Sequence, residues 1–205
     1  MDASLYVCKR KPQRMIVTKA KERRRNIGLV DDDLLPKPKL NPIMICASSE
    51  CHVTPLDVGQ RMIQYLGGIG TLLEPSAGTG NLVFAALNQG FDINSITAVE
   101  RHYDLIQALN TRFKQDDLTV RHQCFLDYSE NTDDRFDYIV INPPFKAAKS
   151  HIKAAKKLLN LNGVMVALVP VSFDDVEFEW LEDLPNTTFG LAKVNTKLIR
   201  YKSIF

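Results

Sequence analysis

Thr71-Leu72-Leu73-Glu74-Pro75-Ser76-Ala77-Gly78-Thr79-Gly80-Asn81 is the stretch that decides the fold. Thr71–Glu74 reads as a short buried strand, Pro75–Asn81 as a glycine turn, and Leu82–Gln89, ended by Gly90, as a helix. That order brings backbone N–H groups and a helix N-terminus to the carboxyl edge of a sheet, where a nucleotide-like ligand can approach the main chain closely. Two ligand types compete for such a turn. A dinucleotide fingerprint asks for three glycines at G-x-G-x-x-G spacing, but only Gly78 and Gly80 are present and position 83 is Val83. A carboxylate at Glu74 would also repel pyrophosphate. It suits an ammonium group, directly or through water.

Outward from this unit the pattern repeats. Ser95–Glu100 reads as a second strand ending in an acid twenty residues after Gly80, a place from which a carboxylate accepts from both ribose hydroxyls. The alternative for Glu100 is a charge favoured by the N-terminal dipole of the next helix. Arg101-His102-Tyr103 start that helix, which runs through Leu105, Ile106, Leu109 and Phe113; His102 reads as a surface or cofactor-edge residue. Upstream, Thr54 suits an N-cap and Pro55 the first position of a helix with the stripe Leu56, Met62, Ile63 and Leu66, stopped by Gly67-Gly68. Downstream, Leu118–Gln123 reads as a strand, Cys124–Tyr128 as a loop, and Phe136–Ile141 as a strand. A helix over Lys146–Leu161 follows, ended by Gly163, then a strand over Val164–Val169 and a helix over Asp174–Leu184. Thr187–Val194 and Lys197–Phe205, divided by Asn195-Thr196, read as a terminal hairpin. The expected fold is α/β: a Rossmann-like, doubly wound, mostly parallel seven-stranded sheet with a C-terminal β-hairpin. Ligands then sit outside the carboxyl ends of the strands, where Gly78, Glu100 and Asn142 all fall.

Asn142-Pro143-Pro144-Phe145 closes the strand Phe136–Ile141. Two consecutive prolines cannot donate to a ladder and each fixes its own φ, so the chain leaves the strand in one stiff direction. That corner holds the Asn142 amide oxygen, the Pro143 carbonyl and the face of Phe145 together. An aryl amine needs such a set: two acceptors on its N–H bonds favour the pyramidal, more nucleophilic nitrogen, and a flat ring lets a heterocycle stack. The bland alternative is an Asn-Pro turn after a buried strand.

A chain of 205 residues with 45% apolar content suffices for one α/β domain. The net charge of +2 is unevenly spread. Residues 1–40 carry 11 Lys and Arg against 5 Asp and Glu, whereas the remainder is acidic. We therefore read 1–40 as a basic, flexible arm and 41–205 as the catalytic domain. The arm suits a nucleic-acid phosphate or is a solvated tail. Cys8, Cys46, Cys51 and Cys124 form no C-x-x-C pair and read as reduced thiols. Cys46, Cys51 and His52 lack a second ligand pair, so no metal is expected. Early charges exclude a signal peptide and no apolar stretch reaches the roughly 18 residues of a span, which points to a cytoplasmic protein without a membrane partner.

On these residues the sequence resembles the class I S-adenosylmethionine-dependent methyltransferases, and within them the branch typified by N6-adenine DNA methyltransferases. Asn142-Pro143-Pro144-Phe145 is similar to that branch's Asn/Asp/Ser-Pro-Pro-aromatic motif, Glu74–Gly80 to its cofactor loop, Val53-Thr54-Pro55 to its upstream Thr-Pro element, and Glu100 to its ribose acid. The resemblance covers roughly residues 51–170. It implies S-adenosyl-L-methionine as cofactor, with Glu74 suited to the ammonium of its methionine moiety. The implied cofactor-binding residues are Thr54, Pro55, Glu74, Ser76, Ala77, Gly78, Gly80, Glu100, Arg101, Cys124, Phe125 and Asn142. The implied catalytic residues are Asn142, Pro143, Pro144 and Phe145, acting by in-line methyl transfer to an adenine N6. Lys146, Lys149, Lys153, Lys156 and Lys157 offer phosphate contacts or form an ordinary solvated face; their spacing places them around the helix. Two departures stand out. Where the family has Asp-Phe-Leu, its acid accepting from the cofactor's adenine, this chain has Cys124-Phe125-Leu126, which leaves backbone groups, Phe125 or Asp127 to take that part. No separate target-recognition domain is expected, so specificity is expected to fall to the arm, short loops, a partner protein or substrate shape. DNA is favoured as substrate; RNA adenine-N6 or guanine-N2, protein glutamine, and a non-catalytic binding subunit are the alternatives.

Overall fold

The computed structural model describes residues 13–16, 42–45, 53–113, 118–189 and 194–204. Gln13–Ile16 (β1) pairs antiparallel with Pro42–Ile45 (β2), and the expected division at residue 40 lies outside the described residues. The rest of the basic arm, with Cys8, Cys46, Cys51 and His52, lies outside the described residues.

The main sheet holds seven strands in the order β5-β4-β3-β6-β7-β9-β8. These are Leu72–Glu74 (β3), Ile96–Glu100 (β4), Thr119–His122 (β5), Phe136–Ile141 (β6), Leu159–Pro170 (β7), Glu179–Leu184 (β8) and Thr196–Lys202 (β9). The first five run parallel, and β9 pairs antiparallel with both β7 and β8. The doubly wound expectation holds. From β3 the chain steps outward through β4 to β5, then returns to lay β6 on the other flank of β3. The cleft where the order reverses therefore opens at the carboxyl ends of β3 and β6.

Alternation along the strands builds the two layers. Leu72, Val140, Val166 and Leu168 face the helices Leu56–Gln64 (α1), Asn81–Asn88 (α2) and Tyr103–Phe113 (α3). Their neighbours Leu73, Ile139, Ile141, Met165 and Ala167 face Phe125–Asn131 (α4) and Ala148–Lys157 (α5). Successive side chains of a strand point to opposite faces, so both faces of these central strands are apolar and read as continuous hydrophobic runs.

Four elements differ from the sequence reading. Cys124–Tyr128, expected as a loop, turns directly into α4, with Cys124 at the N-cap position and its carbonyl accepting from Tyr128 N at 2.9 Å. The helix expected to Leu161 ends at Lys157, and β7 starts at Leu159. Gly163 therefore stops no helix: it sits inside β7, where a Cβ would lie 2.9 Å from the Asn160 carbonyl oxygen and 3.1 Å from that of Asp137. Asp174–Leu184 is not helical. Its second half is edge strand β8, because Glu179 and Glu182 find basic partners in Arg200 and Arg61 at 2.6 and 2.9 Å, while Leu184 is buried. The hairpin is consequently β8 with β9, and Thr187–Phe189 belongs to a turn in which Thr188 N donates to the Pro185 carbonyl. Acidic residues and a register shift between Trp180 and Glu182 blunt the sheet's exposed edge.

Candidate active site

The carboxyl ends of β3, β4 and β6 and the starts of α4 and α5 enclose a cavity of about 310 Å³, within the size range of small-molecule sites. Its floor is the glycine turn. Gly78 and Gly80 have φ of +54° and +77°, in the left-handed region. Gly80 N donates to the Ala77 carbonyl at 2.7 Å, and Ala77 N donates to the Val99 carbonyl of β4 at 3.0 Å. At Gly80 a Cβ would stand 2.4 Å from Phe113 and 2.7 Å from Leu109 of α3. Gly80 thus shapes the turn by letting α3 close against it and does not itself line the cavity.

Two acids define the cavity's electrostatics. Glu100 is buried, and its carboxylate already clasps the turn: one oxygen accepts from Gly78 N at 2.9 Å and the other from His102 N at 2.8 Å. Each oxygen retains a second lone pair for a hydroxyl. Glu74 is 1% exposed and, among the described residues, accepts only from Ser76 N at 3.2 Å. Burial pushes its carboxyl up to about 8, the Ser76 N–H opposes this, and the nearby Glu100 charge adds to the rise.

Asn142 reaches the same cavity from the end of β6. Its Nδ2 donates to Thr54 Oγ1 at 3.0 Å, which turns the acceptor end of the amide away from Thr54. Thr54 was expected to cap α1. Instead Pro55 occupies the N-cap position with no side-chain cap bond, and the Thr54 hydroxyl serves Asn142. The Thr54 carbonyl accepts from Asn81 Nδ2 at 2.9 Å, and Asn81 Oδ1 accepts from Arg112 at 2.8 Å. Arg112 also donates to the Thr79 carbonyl at 2.8 Å, and its guanidinium lies over Phe84 and Phe113 at 4.8 and 5.3 Å. Burial lowers its pKa to about 10, which still leaves it charged at neutral pH. A continuous hydrogen-bonded chain thus runs from α3 through the turn to Asn142.

Of the expected site residues, Thr54, Glu74, Ser76, Ala77, Gly78, Glu100, Arg101, Cys124, Phe125, Asn142, Pro143 and Pro144 line the cavity together. Pro55, Gly80 and Phe145 do not. Phe145 is half-buried and packs edge-on against Phe189, with ring centroids 6.0 Å apart. Asp127 is exposed on α4 and outside the cavity, whereas Phe125 and the Cys124 that stands in place of the acid both line it. The lysines after Phe145 differ from expectation as well: Lys149, Lys153 and Lys157 share one exposed face of α5, and Lys156 beside them pairs with Glu177. Among the described residues no cluster of His, Cys, Asp and Glu could hold a metal ion, and no helix is long and apolar enough to cross a membrane.

Sequence reasoning missed Asn81, Arg112 and His151. Asn81 follows the glycine turn directly and could have been found as the first residue of its helix. Arg112 and His151 carry no local signal, because only tertiary packing brings them to the site.

Residues 56–187 match the family model of the methyltransferase small domain. No curated protein matches the chain. Among solved structures, a candidate class I S-adenosylmethionine-dependent methyltransferase from Listeria monocytogenes aligns at 20% identity over 75% of this chain and 62% of its own, with a TM-score of 0.59. A candidate RNA methyltransferase from Pyrococcus horikoshii aligns at 18% identity over 75% and 85%, with a TM-score of 0.57. The M protein of the type I restriction enzyme EcoKI aligns at 14% identity over 75% of this chain and 44% of its own, with a TM-score of 0.63. The fold is that of the class I methyltransferases. Family and fold imply S-adenosyl-L-methionine as cofactor. The cavity suits it: the buried Glu100 clasps a glycine turn, a second buried acid offers a partner for an ammonium, and Phe125 offers an apolar wall. With the family model spanning well over half of its length, the chain belongs to the methyltransferase small domain family.

Proposed function

We propose that this protein transfers a methyl group to an exocyclic amino nitrogen of a nucleic-acid base, adenine N6 in DNA being the favoured target. The observation that carries the reading is the Asn142–Thr54 hydrogen bond. It fixes the Asn142 amide at the mouth of the cofactor cavity with its donor end engaged, so that its acceptor end can take an N–H from an incoming amine.

S-adenosyl-L-methionine, when bound, supplies a methyl group electrophilic at carbon. The chain's own residues do the rest. Asn142 Oδ1 and the Pro143 carbonyl accept from the amine and favour its pyramidal form. The amine needs no prior deprotonation, because the nitrogen attacks through its lone pair and sheds a proton afterwards. Pro143 and Pro144 keep both acceptors on a rigid corner, and Glu100 and Glu74 orient the two polar ends of the cofactor. Phe145 is the proposed stacking surface; its contact with Phe189 holds the ring beside the Pro-Pro corner. The basic arm and the exposed lysines of α5 supply phosphate contacts.

An RNA substrate is the second reading, favoured by the fold similarity to the Pyrococcus protein. Incubating the purified chain with tritiated methyl donor and separate pools of DNA, RNA and protein, followed by nucleoside analysis, tests both. N6-methyladenosine in the deoxy series supports the first, a methylated ribonucleoside the second, and label confined to protein refutes both.

A further inference from the structure

His151 lies one turn into α5, is 9% exposed, and lines the cofactor cavity next to Phe125, with the two ring centroids 5.6 Å apart. Its Nδ1 stands 3.1 Å from the Ala147 carbonyl oxygen. A carbonyl oxygen only accepts, so Nδ1 carries the hydrogen and Nε2 carries the lone pair. Burial lowers the pKa, the Ala147 carbonyl opposes this and the Arg101 charge assists it, so the ring is neutral at physiological pH. Among the described residues no donor hydrogen-bonds Nε2. Around it, Phe125 and Leu126 make an apolar wall, and Cys124 adds only a thiol, a weak acceptor. An aromatic wall with one strong neutral acceptor at its edge has the chemistry to read a planar heterocycle that presents an N–H donor.

We infer that His151 Nε2 accepts a hydrogen bond from the exocyclic amino group of the cofactor's adenine, making His151 the residue that selects adenine in this chain. The assignment depends on the family's cofactor and not on any role for Asn142. It also explains how Cys124 is tolerated beside the adenine edge, since the accepting atom comes from α5 and not from the end of β5. Exchange of the 6-amino group for a 6-oxo group turns the donor into an acceptor facing Nε2, which loses the bond and sets two lone pairs against each other.

The test uses calorimetric titration of the full chain with S-adenosyl-L-homocysteine and with its 6-oxo counterpart, S-inosyl-L-homocysteine. The wild type is expected to bind the adenosyl compound at least about ten-fold more tightly. His151→Phe, which keeps a ring against Phe125, should weaken adenosyl binding and bring the ratio near one. His151→Gln, which restores an acceptor, should recover part of the preference for the adenosyl compound. A wild type that binds both compounds equally, or a ratio that survives in His151→Phe, overturns the inference. Failure of both compounds to bind at millimolar concentration overturns the cofactor assignment together with it. A measurement on the wild type alone covers the case of a variant that does not fold. The unprotonated imidazole nitrogen-15 resonance of His151 should move with the adenosyl compound and stay in place with the inosyl one, and no movement with either refutes the bond.

Discussion

Asn142 Nδ2 donates to Thr54 Oγ1 at 3.0 Å, joining the end of β6 to the residue before the Pro55 N-cap of α1 across 88 positions of sequence. This bond decides which end of the amide a substrate meets. Replacing Asn142 with Ala should leave cofactor affinity within a few-fold and lower methyl transfer by on the order of 100-fold or more, the usual effect of losing one aimed hydrogen-bonding group. Calorimetry with S-adenosyl-L-homocysteine and single-turnover kinetics separate the two. Unchanged turnover would remove Asn142 from its role. Thr54→Val removes the hydroxyl and keeps the shape, so its loss should appear mainly in kcat, and Thr54→Ser should restore most of it.

The buried carboxyl of Glu74 makes stability depend on pH. Its folded pKa, about 8, lies above the ordinary 4.5, so the folded state holds a proton that the unfolded chain has released. The associated stability is fully present below about pH 4.5 and is lost as pH rises toward 8, by at most about 1.4 kcal/mol for each pH unit. Urea denaturation between pH 5 and 8 should show this slope, and Glu74→Gln should flatten it. A cationic ligand group beside Glu74 reverses the preference. Binding at pH 7 should therefore release a proton, read by calorimetry in buffers of different ionisation enthalpy, and Glu74→Gln should abolish the release.

Gly80→Ala should destabilise the fold by about 2 kcal/mol or more. The left-handed backbone at φ +77° accounts for about 1–2 kcal/mol, and the new methyl group would meet Phe113 and Leu109 at contact distances no core accepts without moving α3. Chemical denaturation measures the loss. A Gly80→Ala chain as stable as wild type would show that α3 yields freely.

Arg112 satisfies two acceptors at once, the Thr79 carbonyl and Asn81 Oδ1, with its guanidinium over the rings of Phe84 and Phe113. Arg112→Met fills similar space and leaves both acceptors without a donor, so we expect a loss of about 2–3 kcal/mol. Arg112→Lys retains the charge and loses the planar fork, and should fall between the two. Denaturation midpoints at constant slope decide this; an Arg112→Met chain of wild-type stability would mean that water replaces the guanidinium without penalty.

The central half of this fold was legible because its signals are local. Thr71–Asn81 carries strand, turn and helix within eleven residues, and Phe136–Ile141 runs straight into two prolines whose effect on the backbone is fixed by covalent geometry. The C-terminal third was read less well. Glu179–Leu184 is rich in helix-favouring acids, and only pairing with Arg200 and Arg61, distant in sequence, makes it a strand. Leu158–Gly163 misled for a related reason: an apolar residue after a lysine-rich helix continues the helical period, whereas Leu159 already pairs with Phe136. At the site, residues on the glycine turn and Pro-Pro corner were found by motif. His151 and Arg112 came from neighbouring helix faces, and Phe145 sits by a ring forty-four positions away.

The placement of β9 between β7 and β8 has a consequence for the order in which the molecule is made. As the polypeptide emerges from the ribosome, β7 exposes one flank and β8 has no strand to pair with among the described residues until Thr196–Lys202 has been synthesised. The nascent chain must shelter an incomplete β-surface through that interval, and the charged face of β8 helps keep it from pairing with another copy.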